Sequence, residues 1–199
     1  MKVIFLDNDG VICLCRNWGK RYKKYDAYVA SNPEMADKTW RDFPVDCRFD
    51  DFDDKAVKVL NEILEETGAE IVVSSDWRMH ATVDELGDYY ESQGISKRPI
   101  DGTPFCKDIP VPKNVSLKMS DTHLLEKKRH IEILHWLSEH PEVTHWVAVD
   151  DLHMGVNVED SNIGPFERDW GLTNFVWTPY DCEGIKQTGV KEKILKFLI

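Results

Sequence analysis

Asp7 and Asp9 stand two residues apart where an apolar run, Val3, Ile4, Phe5 and Leu6, gives way to polar residues and Gly10. A continuous apolar run of this length suits a strand buried on both faces. In an open α/β sheet ligands gather beyond the carboxyl ends of the strands, so such a strand would carry both acids to a site. Ionised carboxylates are costly there unless donors or a cation compensate them, and a divalent metal is the direct compensator. Taken alone, the same residues also describe a strand followed by an Asp-Gly turn.

Other stretches decide between the two. Residues 69–73 read as a second buried strand that stops at Ser74, Ser75, Asp76, Trp77 and Arg78, and residues 145–149 as a third that stops at Asp150 and Asp151. Residues 174–177 form a further buried strand, and residues 95–105 contain a short one. Between them, apolar residues recur at helical spacing. The helix over residues 53–67 carries Val57, Leu60, Ile63 and Leu64 on one face, with Gly68 as its C-terminal cap. Helices are also predicted over residues 82–92, 121–139 and 190–198. The third of these four takes Ser120 or Asp121 as N-cap and turns Leu124, Ile131, Leu134 and Leu137 inward. Strands alternating with helices argue for a parallel sheet with right-handed crossovers. The expected fold is a three-layer α/β sandwich with sheet order 5-4-1-2-3. If its central strands are adjacent, three sets of polar residues meet at one sheet edge.

Composition bounds the partners. A chain of 199 residues with 42% apolar residues suits a single domain over residues 1–199. Its net charge of -11, from 36 acidic and 25 basic residues, opposes long-range attraction of nucleic acid or anionic membrane. An anionic substrate must therefore be captured locally. One basic and aromatic segment stands out, with Arg16, Lys20, Arg21, Lys23 and Lys24 among Trp18, Tyr22, Tyr25 and Tyr28. It lies within residues 13–51, an irregular stretch expected to act as a flap or small cap over the site. The five cysteines lack the spacing of a disulfide framework or zinc site and are expected as reduced thiols. The histidines form no H-x-x-x-H or H-E-x-x-H pair, which disfavours a zinc hydrolase. No apolar run approaches the roughly 18 residues that span a bilayer, so a soluble, unexported, cytoplasmic protein is expected.

With these motifs the sequence resembles the haloacid dehalogenase superfamily of aspartate-nucleophile phosphotransferases. VIFLDNDGV matches its first motif, IVVS its second, a basic residue opening the third helix its third, and WVAVDD its fourth. SSDWR and the later GTP are most similar to the haloacid-dehalogenase-type domain of Swiss-army-knife RNA repair proteins. The resemblance implies that Asp7 attacks phosphorus to form an aspartyl phosphate. Asp9 would protonate the leaving oxygen and then activate water. Mg²⁺ would be held by Asp7, the Asp9 backbone carbonyl and Asp150, with Asp151 binding directly or through water. Ser74, or Ser75 in its place, would donate to phosphoryl oxygens, and a basic residue would offset their charge. Lys127, Lys128 and Arg129 compete for that last role, and Lys128 is chosen because it lies one turn before Ile131.

Arg78 could grip a second phosphate or carboxylate as a donor fork, and Lys20 and Arg21 a nucleic-acid strand. The function expected is Mg²⁺-dependent phosphomonoester hydrolysis of a nucleotide or polynucleotide terminal phosphate. The rivals are a phosphatase of a small phosphorylated metabolite and a non-catalytic domain that binds phosphate or a partner. Transfer to an acceptor other than water stays open beside hydrolysis.

Overall fold

Among the described residues seven strands are present, β1 (Lys2–Leu6), β2 (Glu70–Val73), β3 (Pro99–Gly102), β4 (His145–Asp150), β5 (Asn157–Asp160), β6 (Gly164–Glu167) and β7 (Phe175–Trp177). The computed structural model describes residues 1–112, 117–118, 123–160, 164–168 and 170–199. Five strands form a parallel sheet in the order β3-β2-β1-β4-β7, which is the expected order of an α/β sandwich. The antiparallel hairpin of β5 and β6 was not foreseen.

β1 is the central strand, which is why all four residues from Val3 to Leu6 are fully buried. Alternate side chains serve opposite layers. Ile4 and Leu6 pack with Leu60, Ile63, Tyr90 and Ile194, from α3 (Asp54–Thr67), α4 (Val83–Ser92) and α6 (Val190–Leu198). Val3 and Phe5 pack with Ile133 and Trp136 of α5 (Leu124–Glu139). The register pairs Leu6 with Val73 on one side and with Val149 on the other. One step further along, Asp7, Ser74 and Asp150 share a rung, fixed by Ser74 N–H to the Leu6 carbonyl at 2.9 Å and Asp7 N–H to the Val149 carbonyl at 3.1 Å.

The inward face of α5 differs from expectation. Arg129, His130, Ile131, Glu132, Ile133 and Trp136 are buried, while Leu134 is 43% exposed. Charged residues hold the inward stripe because partners await them there. The proposed caps Ser120 and Asp121 lie outside the described residues.

Residues 13–51 are not irregular. They hold α1 (Arg21–Ser31), α2 (Val45–Arg48) and three single-turn helices. Tyr25 packs on Trp40 and Phe43, with ring centroids 5.5 and 4.6 Å away. The basic residues of this segment largely neutralise the chain's own acids. Arg16 pairs with Asp53, Arg21 with Asp50 at 3.2 Å, and Lys24 with Asp51 at 2.5 Å.

Two of the five cysteines are not free thiols, since Cys15 and Cys182, 167 residues apart, form a disulfide. No spacing signals this pair. The two loops are brought together by Cys15 N–H to the Asp181 carbonyl and Ile185 N–H to the Val11 carbonyl, at 3.0 and 2.9 Å. Cys13, Cys47 and Cys106 are free and buried. Among the described residues no helix is long and apolar enough to cross a membrane.

Candidate active site

The chain leaves β1 through a tight turn in which the Asn8 carbonyl accepts from the N–H groups of Val11, Ile12 and Cys13. The Asn8 side chain accepts from the Tyr90 hydroxyl at 2.5 Å. Gly10 is required twice over, because its φ of +69° lies in the left-handed region and a β-carbon would strike the Asp151 carboxylate. The turn presents Asp9 beside Asp7 and against Trp77, whose indole N–H donates to Asp9 Oδ2 at 2.8 Å. Trp77 is itself clamped by Phe49, parallel to it at 4.2 Å. Burial raises the Asp9 pKa, the Asp7 charge raises it further, and the Trp77 hydrogen bond pulls it back.

Asp7, Asp150 and Asp151 offer carboxylate oxygens that all lie within 4.8 Å of one another. Burial holds the Asp150 carboxyl well above its ordinary range, against the opposing pull of Arg129. Burial and the nearby Asp7 push Asp151 up to about 6. One guanidinium answers this charge. Arg129 Nη1 lies 2.9 Å from both Asp7 Oδ2 and Asp150 Oδ2, and its Nη2 reaches Asp76 at 3.2 Å. Three converging hard oxygen donors with surplus negative charge fit Mg²⁺.

The remaining expected residues divide. Ser74 is buried, and its hydroxyl has no hydrogen-bond partner, so a donor stands ready beside Asp7. Ser75 instead caps the turn Asp76–Met79, its hydroxyl accepting from Trp77 N–H. Arg78, expected at the substrate, is consumed by the fold. It donates to the Ser75 carbonyl at 2.7 Å, to Thr103, and to Glu132 Oε2 at 3.0 Å, with its side chain 6% exposed. Lys20 donates to Asn17 Oδ1 at 2.7 Å and lines neither cavity described below. Lys128 was chosen for the charge-offsetting role, and it is the neighbouring Arg129 that stands on Asp7. The helix phase that buries Ile133 and Trp136 turns Arg129 onto Asp7, and Lys128 lines, together with Arg129, the larger cavity described below.

Two cavities flank Asp76. The larger, about 740 Å³, is lined by Arg129, Lys128, Phe105, Met79 and Leu125 among others. The smaller, about 360 Å³, is lined by Asp9, Arg21, Tyr22, Trp40, Phe49 and Trp77 among others. Arg129 was one of the three residues competing for the charge-offsetting role and not the one chosen, while the contacts of Asp76 and of the Trp77 indole were not foreseen. A signal for Trp77 existed in its place three residues after Ser74. Asp76 stands in the same SSDWR motif, two residues after Ser74.

The family model for the HAD domain in Swiss Army Knife RNA repair proteins matches residues 3–174. No curated protein and no solved structure matches the chain.

Proposed function

This chain belongs to the family of HAD domains in Swiss Army Knife RNA repair proteins, and from that premise we propose that it is a Mg²⁺-dependent phosphatase acting on a nucleotide or polynucleotide terminal phosphate. The observation that carries the reading is the single rung of Asp7, Ser74 and Asp150, with Asp9 held beside it by Trp77.

Asp7 attacks phosphorus through a carboxylate oxygen, and the bond to the leaving oxygen breaks as Asp9 gives that oxygen its proton. The products of this step are an alcohol and an aspartyl phosphate. Asp9, now ionised, takes a proton from water as the water attacks the same phosphorus, which releases phosphate and restores Asp7. A raised Asp9 pKa suits both halves, because the first needs the acid and the second its conjugate base. The unpartnered Ser74 hydroxyl donates to a phosphoryl oxygen. Arg129 fixes the orientation of Asp7 and offsets charge accumulating around it. Asp7, Asp150 and Asp151, with the Asp9 backbone carbonyl, would hold Mg²⁺, which supplies a Lewis-acidic charge to the phosphoryl oxygens when bound.

A second reading, a small phosphorylated metabolite as substrate, is favoured by the pairing of Arg16 and Lys24 with the chain's own acids and by the net charge of -11. A panel of phosphomonoesters, including nucleotides and 3′- and 5′-phosphorylated oligonucleotides, assayed with Mg²⁺ and with EDTA, decides between them. Phosphate release is expected with Mg²⁺ only, and to be lost in Asp7→Asn. Full turnover by Asp7→Asn would overturn the mechanism.

A further inference from the structure

We infer that the smaller cavity, the one lined by Asp9, is the leaving-group subsite and that it takes a planar aromatic group, a nucleobase. The inference rests on the phosphatase reading. A general acid must come within hydrogen-bond reach of the oxygen it protonates, so the departing group occupies the space that Asp9 lines. That space, about 360 Å³, lies at the small end of the roughly 300 to 1,000 Å³ range of small-molecule sites. It suits one nucleoside.

Its walls select for a ring. Four aromatic side chains line it, Tyr22, Trp40, Phe49 and Trp77. Phe49 and Trp77 are stacked on each other and form a fixed floor. Trp40 is covered by Tyr25, with an interplanar angle of 27°. Tyr22 is different. It is 56% exposed, and among the described residues no aromatic ring packs on it. Its ring neighbour is the Arg21 guanidinium, 5.2 Å from the ring centre. The guanidinium lies over one side of this exposed ring, and an aromatic ring paired with a cation is what a base with a flanking phosphodiester meets in single-strand sites.

The polar groups of the cavity narrow the ligand further. Arg48 is already engaged, by the Phe43 and His80 carbonyls at 2.8 and 3.0 Å and by Glu85 at 2.7 Å. Arg21 shares its charge with Asp50, and Asp9 and Asp76 also line the cavity. A compact leaving group bearing carboxylates finds one half-committed cation, an engaged Arg48, the His80 imidazole, two acids and the four rings. A nucleoside, uncharged and planar at its base, finds surface to stack on and at most one site for a following phosphodiester.

The test compares kcat/KM for 5′-AMP and 3′-AMP with that for phosphoglycolate, whose leaving group has no ring, in wild type and three variants. Wild type is expected to favour a nucleotide at least tenfold. Tyr22→Ala removes an exposed ring and is expected to erase most of that preference through KM, a change of about tenfold to a hundredfold. Tyr22→Phe restores it. Leu125→Ala, on the larger cavity, leaves the preference as it was. Equal kcat/KM for nucleotides and phosphoglycolate in wild type overturns the subsite while the phosphatase reading stands. Preference lost in Leu125→Ala but kept in Tyr22→Ala also overturns it and moves the base to the larger cavity. Absence of phosphate release from all three esters removes the phosphatase reading, and the subsite with it.

Discussion

The indole N–H of Trp77 donates to Asp9 Oδ2 at 2.8 Å, across 68 residues of sequence. It fixes the carboxyl that, on the proposed mechanism, first gives and then takes a proton, and it favours the ionised form. Trp77→Phe keeps a ring to pack on Phe49 and Phe52 but removes the donor. Without that donor the Asp9 pKa rises. Asp9 then keeps its proton to higher pH and becomes available as a base only at higher pH. Both limbs of the pH–kcat profile are therefore expected to move upward, with kcat at neutral pH lowered roughly tenfold to a hundredfold by the freed carboxyl. A profile that drops in height without moving along the pH axis would assign Trp77 to packing alone.

Arg129 holds Asp7 and Asp150 together at 2.9 Å each, and all three side chains are less than one tenth exposed. Removing one partner of a buried ion pair costs about 3 to 5 kcal/mol. Arg129→Met in EDTA is expected to lose stability of that order in urea unfolding. Lys128→Met, on a cavity wall, should stay within about 0.5 kcal/mol of wild type. On the proposed function Mg²⁺ binds the native carboxylates and not the unfolded chain, so at a hundredfold excess over its Kd it should return about 2.7 kcal/mol. Equal losses in the two variants would place the compensating charge elsewhere.

The contrast between these neighbours marks where the sequence was legible. Asp7, Ser74 and Asp150 could be read because each ends an apolar run, and apolar runs report burial directly. α5 could not be phased in the same way. It buries Glu132, which accepts from Arg78 and from Cys106 N–H at 3.0 and 2.7 Å, and it turns Leu134 to solvent. Inward charges paired with distant residues leave no periodic trace. α1, within a stretch read as irregular, left little trace for the opposite reason. It buries none of its own residues, so no apolar stripe marks it. Arg78 looked like a ligand fork because its partners Thr103 and Glu132 are 25 and 54 residues away.

The acid cluster also predicts how Mg²⁺ stabilisation varies with pH. Asp151 rises from 3.8 to about 6 in the fold, through burial and the Asp7 charge. A carboxyl with a raised folded pKa binds more protons folded than unfolded, so stability falls as pH climbs from the unfolded value through the folded one. Asp9 and Asp150 are shifted in the same direction. Bound Mg²⁺ favours the ionised carboxylates and cancels this loss. Burial lowers the pKa of His80, His130 and His153, whose loss of stability comes instead as pH falls below about 6.5. That loss is common to both conditions and drops out of the difference. The gain in Tm from Mg²⁺ over EDTA is expected to be small at pH 5 and to grow through pH 6 to 7.5. A gain independent of pH would mean that these carboxylates do not hold the ion.

The disulfide and Gly184 lie on the same loop behind Asp9 but should fail differently. Cys15 and Cys182 are 167 residues apart, and in the chain-entropy account closing so long a loop contributes up to about 5 kcal/mol by restricting the unfolded state. The folded loops remain tied by Cys15 N–H to the Asp181 carbonyl and Ile185 N–H to the Val11 carbonyl. Cys15→Ser is therefore expected to unfold at markedly lower urea while retaining its kcat under conditions where it stays folded. Gly184 has φ of +54°, and a β-carbon there would strike the Val11 carbonyl, in the turn that follows Asp9 and Gly10. Gly184→Ala must displace that turn, and is expected to disturb the Asp9 carboxyl with it. It should lose both stability and kcat. Urea titrations paired with single-turnover assays separate the two variants, and a Cys15→Ser protein that is folded but inactive would show that the disulfide shapes the site itself.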